Sequence, residues 1–198
     1  MSEFHTLQWA SVSAEQLSAE QQSSMVESPQ QLLDWHQPAE HVVERLDSAE
    51  LLRLPMSLTV AEAEHFLTQS DRRYAVVIDT ENKPVGMLLA RVIRDRHSHV
   101  MANLLQIAWQ ELTVGYLMTP MQRLPAITQK QLASAKIGDI AATMQDSGSD
   151  FLLIINELGL HGIVVSLKVL AVTGESIRLY PKATSFADVF NVIKHSER

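Results

Sequence analysis

Few residues in this chain have the types and spacing that chemistry needs. The eight histidines form no metal set. His97 and His99 are two apart, which puts them on different sides of a helix, and His36, His65 and His161 stand alone. Cysteine is absent, so disulfides, thiolate chemistry and cysteine-based zinc sites are excluded. The chain has no Gly-x-Ser-x-Gly elbow, no phosphate-cradling Gly-x-x-x-x-Gly-Lys loop and no glycine-rich dinucleotide turn. Asp146-Ser147-Gly148-Ser149-Asp150 has the composition of a nucleophile or metal loop, but it falls where a connection before a strand is expected. What remains is cationic. Arg91, Arg94 and Arg96 with His97 and His99 make the one basic concentration. It lacks interleaved aromatics and sits in a chain of net charge -7, so it reads as a solvated helix face rather than a nucleic-acid site. No pair of groups has acid-base or nucleophilic spacing, and an enzyme is not expected.

The elements that carry these residues occur twice. Tyr74-Ala75-Val76-Val77-Ile78 and Val85-Gly86-Met87-Leu88-Leu89 are short apolar runs separated by Asp79-Thr80-Glu81-Asn82-Lys83-Pro84. Such runs bounded by turn residues predict two buried strands joined by a tight connection. Phe151-Leu152-Leu153-Ile154-Ile155, a turn over Asn156 to His161, and Gly162-Ile163-Val164-Val165 repeat the pattern. Upstream, Thr59-Val60-Ala61-Glu62 reads as a capping box opening a helix with Ala63, Phe66 and Leu67 on its apolar stripe. Ile137, Ile140, Ala141 and Met144 make the matching stripe. Val60 to Tyr74 and Ile137 to Phe151 are equally spaced, and the only slip between copies falls in the turn, where it costs little.

Four segments follow: a polar, partly ordered N-terminal extension over 1–46, a first repeat over 47–112, a second over 113–176, and a C-terminal strand and helix over 177–198. In the extension, Ser28-Pro29-Gln30-Gln31 predicts a short helix continuing through Leu32, Leu33, Trp35 and His36 and stopped by Pro38. Trp35 and Leu32 are expected to pack on the domain or on a neighbouring subunit, or to serve a partner-binding arm. Between the repeats, Val92 to Gln110 reads as one helix with an apolar face, and Leu167 to Val172, stopped by Gly174, as its counterpart. Ile177-Arg178-Leu179-Tyr180 predicts an edge strand, and Ser185-Phe186-Ala187-Asp188 opens a final helix. No apolar run approaches the ~20 residues that span a bilayer, and the polar start reads as no secretory signal, so a cytoplasmic location is expected. No nucleic-acid or membrane partner is expected.

Val114-Gly115-Tyr116-Leu117-Met118-Thr119-Pro120 resembles the V-x-D-L-M-T-P opening of a CBS (cystathionine β-synthase) domain. The order of helix, strand, turn, strand and helix that follows in both copies is similar to the CBS repeat. Ala135 to Met144 further resembles small stand-alone bacterial CBS proteins. The likeness covers Leu51 to Gly174. It implies an α/β (α+β) fold in which two βαββα repeats pack sheet to sheet as a pseudo-twofold Bateman module. It also implies no chemistry of its own, a regulatory role, an adenosine nucleotide or related phosphorylated ligand, and pairing into a homodimer that reports to an unidentified protein partner.

In the family the second strand runs into the helix as G-h-h-[S/T]-x-x-D, whose hydroxyl and helix start take phosphate and whose Asp takes both ribose hydroxyls. Here Gly86-Met87-Leu88-Leu89-Ala90-Arg91-Val92 puts Leu89 and Val92 at those two positions. Gly162-Ile163-Val164-Val165-Ser166-Leu167-Lys168 puts Val165 and Lys168 there, with Ser166 one position late. The usual ribose contact is lost twice. Two expectations follow. Either the clefts hold a more anionic ligand through Arg91, Ser166 and Lys168, with Arg72 and Arg73 as helpers and Met118 and Thr119 lining the second cleft by family analogy, or Leu89, Val92 and Val165 close them and the chain is a structural or protein-interaction module.

Overall fold

In the computed structural model, residues 4–11, 32–46, 48 and 51–179 are described. The helix start at Ser28 to Gln31, Tyr180 of the expected edge strand, and the final helix from Ser185 lie outside them.

Strands β1 (Ala10–Ser11) and β2 (Val43–Arg45) come from the segment read as an extension. The first repeat then supplies β3 (Arg53–Pro55), α1 (Val60–Gln69), β4 (Tyr74–Ile78), β5 (Pro84–Leu89), α2 (Ala90–Arg94) and α3 (Arg96–Leu105). After it come α4 (Val114–Leu117) and β6 (Thr119–Pro120). The second repeat supplies β7 (Pro125–Thr128), α5 (Gln129–Ser134), α6 (Ile137–Ser147), β8 (Phe151–Asn156), β9 (Gly159–Val165) and α7 (Ser166–Thr173). Each repeat is thus a βαββα unit, with its first two strands parallel and its last two a hairpin.

Local chemistry accounts for the boundaries. Thr59 closes a true capping box: its hydroxyl accepts from the Glu62 backbone N–H at 3.3 Å while the Glu62 carboxylate accepts from the Thr59 N–H at 3.0 Å. Thr128 and Gln131 repeat the device at the start of α5. Both α6 and α7 stop at a glycine with positive φ, Gly148 and Gly174. In the first hairpin the Asp79 carboxylate accepts from the backbone of Glu81 and Lys83. The second hairpin is tighter than expected. Leu160 is buried and pairs with Ile155, so β9 begins at Gly159 and only Glu157 and Leu158 remain in the turn.

Alternation along the strands builds a four-layer stack. Val76, Met87 and Leu89 of the first sheet meet Phe151, Leu153, Ile163 and Val165 of the second in a core between the sheets. Ala75, Val77 and Leu88 point the other way, to α1, α2 and α3, and Leu152, Ile154 and Val164 point to α5, α6 and α7. Burying a strand on both faces explains its unbroken apolar runs.

The sheets are not closed within the repeats. The first sheet runs β3-β4-β5-β6 and the second β1-β7-β8-β9-β2. Strand β6, which opens the second repeat, pairs with β5 of the first, and β2, upstream of the first repeat, pairs with β9 of the second. The two exchanges are equivalent: Pro120 faces Gly86 as Arg45 faces Gly162.

Three expectations need correction. Val92 to Gln110 is not one helix, because Asp95 adopts extended backbone and the Ser98 hydroxyl binds the carbonyls of Ile93 and Asp95. Ile177 to Leu179 form no strand; both edges of the second sheet are already taken by β1 and β2, and Ile177 and Leu179 pack on the helix-side core. Residues 35–36 form a turn rather than a helix, fixed by the Asp34 carboxylate accepting from the His36 backbone at 2.8 Å. Leu33 and Trp35 do pack against the second repeat's core, whereas Leu32 is exposed.

Candidate functional site

Each repeat has a junction where its last strand turns into the following helix, against the loop before its first hairpin strand. The backbone builds both alike: Ala90 N–H donates to the Arg73 carbonyl at 2.8 Å, and Ser166 N–H to the Asp150 carbonyl at 2.9 Å. Side chains make them different.

At the second junction the Ser166 hydroxyl donates to Asp150 Oδ1 at 2.7 Å, and the Arg91 guanidinium reaches across from the first repeat to Asp150 Oδ2. Asp150 is largely buried whereas Arg91 is exposed, so this ion pair links the repeats at the rim rather than in the core. A cavity of about 400 Å³ opens beside it, lined also by Gly148, Leu167, Leu170 and Ile177. That is within the size range of small-molecule sites. At the first junction Arg72 and Arg73 line a separate cavity of about 200 Å³ with Arg94, whose Nε donates to Glu64 at 2.7 Å.

Lys168 lies elsewhere. Its Nζ is 3.8 Å from Glu44 Oε1, the same oxygen that accepts from the Tyr74 hydroxyl at 2.6 Å. Glu44 sits on β2, facing Ile163 of β9, so this cluster again joins both repeats. Its other oxygen, Oε2, is buried with no hydrogen-bond partner among the described residues. Met118 and Thr119 stand apart from both groups. Thr119 pairs with Met87 on the edge of the first sheet, and Met118 packs over Gly86, where an added Cβ would come within 2.6 Å of its Sδ. Arg91 and Ser166 are therefore brought together through Asp150, and Lys168 is brought to Glu44. Met118 and Thr119 belong to a strand exchange.

The positions that carry the hydroxyl in the resembling family are core. Leu89 is 5% exposed and Val165 0%, both in the layer between the sheets, and Val92 packs against that layer and the helix-side core. Sequence reasoning passed over Asp150 as a connection and Glu44 as part of the N-terminal extension. Asp150 had a signal, since it immediately precedes β8 as Arg73 precedes β4. Glu44 had a weaker one: Val42-Val43-Glu44-Arg45 aligns with Leu117-Met118-Thr119-Pro120 at a constant offset. Among the described residues no group of three His, Asp or Glu is placed to hold a metal, and no helix is long and apolar enough to cross a membrane.

No protein-family model matches the chain, and no curated protein matches it. Solved structures do. A conserved protein from Pyrococcus horikoshii is similar at 19% identity and TM-score 0.52, with 75% of this chain and 100% of that one covered. The protein CBSX2, solved in complex with AMP, is 19% identical over 68% of this chain and 94% of its own, with TM-score 0.48. A CBS domain protein from Streptococcus pneumoniae is 14% identical over 69% and 82%, also with TM-score 0.48. The likeness is one of fold. Two βαββα units paired sheet to sheet, each completed by a strand from the other's opening segment, give this chain the fold of a tandem CBS pair.

Proposed function

We propose that the chain is a non-catalytic regulatory module of the CBS-pair type, in which a phosphorylated small molecule enters the cavity at Arg91, Asp150 and Ser166 and signals to a partner protein. The observation that carries this reading is the ion pair from Arg91 to Asp150 beside that cavity. A phosphate can take the place of the Asp150 carboxylate on Arg91, since guanidinium binds both in the same planar fork. Exchange would break a contact between the repeats, which gives occupancy a mechanical consequence. The resemblance to CBS pairs makes AMP the first compound to try.

Isothermal titration of AMP, ATP and inorganic polyphosphate into the wild type, Arg91→Ala and Asp150→Asn is the test. One of these compounds is expected to bind, Arg91→Ala to weaken it about tenfold or more, and Asp150→Asn to tighten it by removing the competing anion. No heat with any compound, or an Arg91→Ala variant that binds as the wild type does, overturns the ligand reading. A structural or protein-interaction module is then what remains, a role favoured by the filling of the family's phosphate positions with Leu89 and Val165.

A further inference from the structure

Residues 4–11 cross the second repeat as an extended strap. The His5 and Leu7 N–H groups donate to Asp139 Oδ1 at 2.9 Å and Thr143 Oγ1 at 3.0 Å, and Trp9 Nε1 donates to Asp146 Oδ2 at 3.1 Å. Alternate residues of the strap thus meet α6 at i, i+4 and i+7, which is the spacing of one helix stripe. On the other side, Gln131 Nε2 donates to the Gln8 carbonyl at 2.8 Å, and Ala10 pairs with Ala126 at the edge of the second sheet. The Phe4 ring fills the hollow over Gly138, where an added Cβ would collide with it, and Leu7 packs on the helix-side core.

These contacts are specific but shallow. No residue of the strap is buried: Phe4 and Leu7 are half-buried and the others exposed, Trp9 at 36%. Its strand pairing covers two residues, and its bonds to Asp139, Asp146 and Gln131 lie at the surface. The segment that carries β2 is different, because it buries Ala39, Val42 and Leu46. Nor does the repeat need such a strap. Strand β3 stands in the first sheet where β7 stands in the second, and among the described residues it pairs with β4 alone. Elements held by surface hydrogen bonds and few buried contacts are the first to open. Opening here would bare a strand edge, an aromatic-sized hollow and a row of acceptors together.

We infer that this groove, between the β7 edge and the outer stripe of α6, is a docking site for an extended segment of another protein, with residues 4–11 as its built-in competitor. The segment seated in it defines the occupant. That segment has an aromatic ring for the hollow at Gly138, an apolar side chain three positions later, and an indole two positions beyond that. Recognition is by strand addition, in which main-chain hydrogen bonds give affinity and alternate side chains give specificity. A second copy of this chain is a poorer occupant. Its strap would make the same contacts as the resident one, and the tether through residues 12–31 favours the resident. The groove shares no lining residue with the cavity at Arg91, Asp150 and Ser166 and stands whether or not that cavity takes a ligand.

Fluorescence anisotropy of a labelled, end-capped peptide with the sequence of residues 4–11, titrated with the full chain, tests it. Wild type is expected to bind weakly, since apparent affinity scales with the fraction of chains whose groove is open. Phe4→Ala combined with Trp9→Ala weakens the strap and should tighten peptide binding by about tenfold or more. Adding Gly138→Ala or Asp146→Ala to that pair should cancel the gain, because each alters the groove and not the strap. Alanine suits a helix at both positions, so neither addition should lower the melting temperature. A peptide with aspartate in place of its leucine and tryptophan is the control and should not bind. No tightening when the strap is weakened, a gain that survives Gly138→Ala, or equal binding of the control peptide overturns the proposal. So does a rise in molecular mass by light scattering in place of peptide binding, which would make a second copy the occupant.

Discussion

Glu44 carries an unequal load on its two carboxylate oxygens. Oε1 accepts from Tyr74 and lies near Lys168, while Oε2 is buried without a partner among the described residues. A buried polar atom stripped of its partner loses its full desolvation compensation. Tyr74→Phe is therefore expected to destabilise the fold by about 1–3 kcal/mol, and adding Glu44→Leu to recover much of that loss, because replacing both members by apolar groups removes the penalty. Urea unfolding of the single and double variants measures it; a double variant weaker than Tyr74→Phe alone would show that the Lys168 contact matters more. Glu62 offers a pH-dependent counterpart. Hydrogen bonds from the Thr59 hydroxyl and backbone hold its carboxyl below the ordinary 4.5. A lowered folded-state pKa contributes stability above the unfolded value and loses it as pH falls through the folded one. The stability gap between wild type and Glu62→Gln should thus shrink below pH 4.5 in urea midpoints taken from pH 7 downward.

Among elements, the exchanged strands depend on glycine. A Cβ at Gly162 would lie 2.9 Å from Val43 Cγ1 and 3.0 Å from the Glu44 carbonyl, and a backbone carbonyl cannot swing away. Gly162→Ala should loosen β2, read as faster amide exchange at Val43 to Arg45, while the β8–β9 hairpin keeps its protection. Unchanged exchange there would mean that β2 can shift without losing its pairing. Strength of pattern decided which elements were legible. The Thr59 capping box, the first hairpin and the stripe on α6 carry periodic or capping signals and stand in the sequence as they do in the structure, whereas Phe66, read on the apolar stripe of α1, is exposed. Strand β2 is three residues long, too short to show alternation, and its partner is far away in the chain. The break at Asp95 was hidden for another reason: the apolar spacing of α2 and α3 continues across it, and only the Ser98 hydroxyl diverts the carbonyls. The candidate site was half legible. Arg91 and Ser166 could be named from their places at helix starts, but the carboxylate that joins them is marked only by its place before β8, which the charge-reversed counterpart Arg73 before β4 disguises.

For the whole molecule, the reciprocal exchange makes the two repeats one cooperative body. A chain beginning at residue 47 retains every strand of the first sheet yet removes β1 and β2 from the second, baring both of its edges. Exposed edges template association. Such a chain should unfold at lower urea concentration than the full one and scatter light on warming, whereas a matching urea midpoint would show that the first 46 residues are dispensable. The N-terminal peptide adds to this hold on the second repeat. His5 and Leu7 N–H groups donate to Asp139 and Thr143 of α6, and the Phe4 ring occupies the space that a side chain at Gly138 would need.

The strand exchange also has a consequence during synthesis. Residues of β2 leave the ribosome roughly 120 positions ahead of the β9 residues they pair with, a delay of about 6–24 s at ordinary elongation rates. The first repeat waits too, since its edge β6 is translated after its other three strands. Neither sheet of the nascent chain can be finished early, so its apolar strands stay exposed to association with other chains over a long interval.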